Sequence, residues 1–104
     1  MDITKEGVSK YANILVLHPH IDLEPRAQEF RELLCLEPWC LREIPMDKLA
    51  GGPKVFTQSC FAGCYSYFDA PEFIRQVRAF GLVYECTVLA CGGEDEMWSG
   101  HTIA

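Results

Sequence analysis

The chain lacks most of the signatures that would give its chemistry away. It has no G-x-x-x-x-G-K-[ST], no G-x-G-x-x-G and no G-x-S-x-G, so neither a phosphate cradle nor a nucleophile elbow is indicated. Its glycine pairs, Gly51-Gly52 and Gly92-Gly93, read as turns. No C-x2-C knuckle of a structural zinc site occurs among its 6 cysteines. Lys and Arg number only 9 against 15 Asp and Glu, a net charge of −6. That balance argues against direct binding of nucleic acid or an anionic membrane, since both need clustered cations. The apolar run Ile14–Leu17 is far short of the ~20 residues that span a bilayer. No secretory leader is read in MDITKEGVSK, so the expectation is a cytoplasmic protein with reduced thiols.

What is present describes one domain of 104 residues, with 1–10 as a polar arm. The clearest stretch is Asp69 to Cys91. Asp69 has capping chemistry, Pro71 suits a first helical turn, and Glu72 follows the cap at capping-box spacing. Phe73, Val77 and Phe80 recur at helical spacing, with Ile74 beside them, and Gly81 provides a left-handed stop. Leu82 to Cys91 then reads as a strand, free of Pro and Gly.

Earlier in the chain, Tyr11–Leu17 reads as a central strand closed by His18-Pro19-His20. A helix is expected to open at Asp22, with Leu23, Ala27, Phe30, Leu33 and Leu34 as its apolar stripe. Glu24, Gln28, Arg31 and Glu32 are expected to face water, and Glu37-Pro38 to close the helix. Residues 39–46 read as an edge strand weakened by Pro45, and 47–53 as a loop. Residues 54–67 read as a third strand region with a bend at Gly63, and 97–103 as a short fifth strand after an acidic tip.

The order is α+β: βαββαβ with a C-terminal hairpin extension, which is the ferredoxin-like pattern. Right-handed crossovers would put two helices on one face of an antiparallel sheet. The other face would stand open to a second subunit or a partner, with Trp39, Phe56 and Tyr84 among the residues that could line it.

Four constellations could carry function. His18-x-His20 could share a metal if Cys60, Cys64 or His101 completed the site; the plainer reading is a strand-to-helix turn. Cys60-x3-Cys64 could be reactive, but has neither redox spacing nor a placed base and reads more simply as small packing residues. Glu85 could be a buried acid, or simply a surface partner for Arg75 or Arg78. Glu94-Asp95-Glu96 with Met97 and Trp98 is the most distinctive surface feature. It is either a solubilising tip or a docking patch in which charge steers a basic partner and Trp98 holds it.

The element order, together with the tail Glu94-Asp95-Glu96-Met97-Trp98-Ser99-Gly100, resembles small ferredoxin-like proteins of phages and plasmids, anti-CRISPR inhibitors among them. The resemblance covers most of the chain in element order, and its support in sequence is the acidic Trp-Gly tail. It implies a non-enzymatic inhibitor, without a cofactor or metal, that occupies a basic surface of a nucleoprotein complex in the host cytoplasm. It transfers no functional residue by motif. Two other classes compete with it: a dimeric ferredoxin-like small-molecule-binding or catalytic module with a cavity lined by Trp39, Tyr65 or Tyr84, and a metalloprotein using His18, His20 and cysteines.

Overall fold

The computed structural model describes residues 8–45, 59–92 and 98–103, with side chains over 12–45, 59–91 and 100–103. Five strands and two α-helices make a mixed α+β domain. The strands are β1 (Val8–His18), β2 (Arg42–Ile44), β3 (Ser59–Asp69), β4 (Cys86–Gly92) and β5 (Trp98–Ile103); α1 is Ala27–Cys35 and α2 is Ala70–Phe80. All neighbours pair antiparallel in the order β2-β3-β1-β4-β5, which leaves β1 at the centre.

The central strand sorts its residues by parity. Ala12, Ile14, Val16 and His18 are buried, whereas Asn13 is exposed and Leu15 and Leu17 are half-buried. Ser59 and Phe61 of β3 and Cys86, Val88 and Ala90 of β4 bury the same inner side. Phe30 and Leu34 of α1 and Phe73, Ile74 and Val77 of α2 close over that side in one core cluster. Fully burying side chains of this size stabilises by roughly 1.5–3 kcal/mol each.

Local chemistry explains the helix ends. Asp69 caps α2 by accepting from the Glu72 N–H at 3.2 Å, Pro71 sits in the first turn, and Gly81 ends the helix at φ 80°. In β3, Tyr67 adopts φ 61°, and this turn in the backbone brings Phe68 rather than Tyr67 into the core. A Cβ at Gly63 would come within 2.2 Å of the Tyr65 hydroxyl, so glycine there makes room for a ring that stacks on Phe68 at 4.5 Å.

Several expectations need correction. β1 begins at Val8, within the stretch expected to be an arm. The first helix does not open at Asp22. A single 3-10 turn, Ile21–Leu23, is followed by Glu24 in extended geometry (ψ 129°), and α1 starts only at Ala27. Pro25 is the cause, because the residue before a proline avoids helical backbone. Leu23, expected in the core stripe, is 62% exposed, and Glu24, expected to face water, is 6% exposed. β2 is shorter than expected, and Trp39 lies in the helix-side core against Phe68 and Phe73, its indole N–H donating to Gln76 at 2.9 Å. β4 starts at Cys86, so Leu82–Glu85 is a connector rather than strand. Residues 46–58, with Phe56 and the expected loop and strand start, lie outside the described residues.

Candidate functional site

The expected docking patch falls at the β4–β5 connection. Glu94, Asp95, Glu96 and Met97 lie outside the described residues; Trp98 opens β5 opposite Cys91, and its side chain is not described. The ladder runs unbroken from Cys91↔Trp98 to Cys86↔Ile103, so the acidic run joins two paired strands at the edge of the sheet.

The most developed polar arrangement is internal and centres on Glu24. Its carboxylate accepts the Val83 N–H at 3.0 Å, the Tyr84 N–H at 2.8 Å and His18 Nε2 at 2.8 Å. The other nitrogen of His18, Nδ1, accepts from the His20 N–H at 3.1 Å. That bond puts the ring proton of His18 on Nε2, facing the carboxylate. Burial opposes the charge of Glu24, but the two loop N–H groups and His18 outweigh it and hold the carboxyl below its ordinary value of 4.5. The loop between α2 and β4 is thereby tied to the end of β1.

This knot decides several candidate chemistries. His18 points inward and spends both nitrogens, while exposed His20 stands edge-on to Tyr84 at 5.3 Å, so the pair does not converge on a shared ligand. Among the described residues no group of three or more His, Cys, Asp or Glu could hold a metal ion. Cys86 is also near Glu24, but burial first, and then that carboxylate, push its thiol up to about 12. A thiol held that high is a poor nucleophile, and His101, opposite Val88 on the next strand, buries its Nε2 without a hydrogen-bond partner. Burial likewise raises Cys60, and Cys64 is exposed on the side of the sheet away from the helices. Glu85 is exposed in the connector and pairs with neither Arg75 nor Arg78; Arg75 instead binds Glu72, and that contact, with Gln76, lowers Glu72 to about 2. Trp39, Tyr65 and Tyr84 do not line one cavity: two pack in or against the helix-side core, and Tyr84 stands by His20.

One surface feature was missed, a pocket of ≈ 200 Å³ on α2, lined by Pro71, Ile74, Arg75 and Arg78. The sheet face away from the helices was expected, but with Trp39, Phe56 and Tyr84 among its lining. Its middle row is Arg42, Ala62, Leu15, Leu89 and Gly100, one residue from each strand, and the next row is Ile44, Cys60, Leu17, Thr87 and Thr102. None of the apolar residues in these rows belongs to the core cluster or packs against it. The signal for Glu24 was present in its proline neighbour. The outer rows had no separate signal, because Ile14–Leu17 is apolar at every position.

No helix among the described residues is long and apolar enough to cross a membrane. No protein-family model matches the chain, and neither a curated protein nor a solved structure matches it.

Proposed function

We propose that the chain is a non-enzymatic interaction protein of ferredoxin-like type, an inhibitor in the manner of the anti-CRISPR proteins, working in the cytoplasm of the host cell. Glu94, Asp95 and Glu96 meet a basic surface of a nucleic-acid-handling complex, and Met97 and Trp98 supply the apolar anchor. The observation that carries the reading is the β4–β5 ladder, which brackets this acidic run with paired strands from Cys91↔Trp98 downward. A charged segment on a paired base is held ready for a partner at lower ordering cost than a free tail. The run Gly81–Ala104 contains four acids and no Lys or Arg, so its field has one sign.

Two further features support the reading. The strand order β2-β3-β1-β4, with a helix after β1 and another after β3, is compatible with the split βαβ pattern, β5 being the extension. The groups best suited to catalysis are spent internally, His18 and Glu24 on each other and on loop N–H groups.

The test is a pull-down from host lysate at low and high salt, using the wild type and the triple variant Glu94→Lys, Asp95→Lys, Glu96→Lys. The expected result is a basic nucleoprotein complex retained at low salt, released at high salt, and lost by the variant with its melt unchanged. Retention by the variant equal to wild type refutes the patch.

A further inference from the structure

The sheet face away from the helices is self-complementary in a way that its composition alone does not show. Along the middle row, Arg42 stands on one edge strand and Gly100 on the other, with Ala62 and Leu89 inside them and Leu15 on the central strand. Turn a second copy about a twofold axis parallel to β1 and lay it face to face. Leu15 then meets Leu15, Ala62 meets Leu89, and Arg42 meets Gly100. Large faces small at every off-axis position, and the two arginines stand at opposite edges. In the neighbouring row Leu17 meets Leu17 and Cys60 meets Thr87. Leu89 already leans over its cross-strand partner: a Cβ on Gly100 would approach its Cδ2 to 3.2 Å.

We infer that this face pairs with the same face of a second copy, as an isologous sheet-on-sheet dimer. The inference goes beyond the function proposed above and does not use the acidic tip. Charge selects the occupant. The two rows carry Arg42 as their one charged residue and no carboxylate, so they offer a basic partner nothing to pair with. A chain of net charge −6 repels its copies least across a surface without carboxylates such as this one. Area sets the strength. Four strands at ~4.8 Å spacing over a paired length of ~20 Å, with the three residues of β2 adding ~10 Å more, give a face of roughly 430 Å² per copy. Two such faces bury on the order of 1,000 Å², the lower bound for a specific interface, so the dimer is weak and concentration-dependent.

Sedimentation velocity on the whole chain between ~10 and ~500 μM tests this, in the range where an interface of that size associates. The expected result is a rise in mass towards twice the monomer, and Thr87→Lys abolishes the rise while keeping the wild-type melt. Leu15→Glu does the same, and because Thr87 is half-buried and already polar, its variant stays informative if Leu15→Glu unfolds. The native thiols identify the surface. Cys64 and Cys91 oppose Asn13 on this side of the sheet, whereas exposed Cys40 lies outside the ladder. Alkylation of Cys64 and Cys91 slows several-fold at the higher concentration and that of Cys40 does not. A monomer mass throughout, a dimer that survives Thr87→Lys, or association without protection of Cys64 and Cys91 overturns the inference. The Glu94→Lys, Asp95→Lys, Glu96→Lys chain keeps the dimer, so failure here and failure of partner binding are separate results.

Discussion

The two sides of β1 are built from nearly the same kind of residue and do different things. Ile14 and Val16 are at most 1% exposed beneath the helices, while Leu15 and Leu17, their immediate neighbours, are half-buried on the side the described helices leave free. Hydrophobicity therefore does not separate core from surface in this strand. What separates them is which side the crossover helices close over, and that is settled by the helices' own stripes, Phe30 with Leu34 and Phe73 with Val77. The inner side stabilises the fold; the outer side is apolar surface that no described helix covers, and such surface marks contact sites.

That contrast can be broken most sharply at adjacent residues of β3. Phe61→Ala, on the inner side and 0% exposed, should cost about 3–5 kcal/mol in urea unfolding, because it leaves a cavity between Phe30 and β1. Cys60→Ala next to it should cost below about 1 kcal/mol, as expected of a half-buried position outside the core cluster. Equal costs would mean that the two sides are not distinct.

The inner side also has a polar element, and removing it should cost nearly as much. Glu24→Ala strips an acceptor from three donors, of which the buried His18 suffers most and the part-buried Val83 and Tyr84 amides can turn to water, so a loss of about 2–3 kcal/mol is expected in the same assay. The pH dependence follows from the same carboxylate. Its folded value lies below its ordinary 4.5, so between the two the unfolded chain binds more protons. The stability Glu24 supplies is complete above 4.5 and declines as pH falls through the folded value. A urea series from pH 6 downward should show a shallower acid loss in Glu24→Gln than in wild type; identical slopes would remove Glu24 from the acid response. The smallest effect is expected at the rim, where Asp69→Ala removes one cap bond and should lower stability by about 1 kcal/mol, read as a shift in melting temperature.

The parts of the fold written in local chemistry were legible. α2 announced itself through Asp69, Pro71, Glu72 and Gly81, and each residue does what its chemistry suggests. β5 was visible as the return after the glycine turn. The misreadings arose where a distant partner overrode a local pattern. Leu82–Glu85 has strand composition, but the amides of Val83 and Tyr84 bond to a side chain about sixty residues away rather than to a neighbouring strand. Trp39 looked like a surface aromatic because its aromatic neighbours Phe68 and Phe73 come from β3 and α2. Glu24 was assigned to water by helical periodicity, and Pro25 had already broken that period. The candidate site was legible only as composition, since an acidic run states its charge and not its geometry.

The carboxylate of Glu24 has one more consequence, for the order in which the molecule comes apart. It joins the end of β1 to the connector that leads into β4, so its bonds require those two neighbouring strands to be in place. An ordinary surface connector frays independently of the core and exchanges its amide hydrogens quickly. Here the amides of Val83 and Tyr84 are held by the same carboxylate that bonds His18 at the buried end of β1. In deuterated solvent these two loop hydrogens should therefore exchange more slowly than those of an ordinary connector, and their rate reports how often Glu24 lets go of the loop.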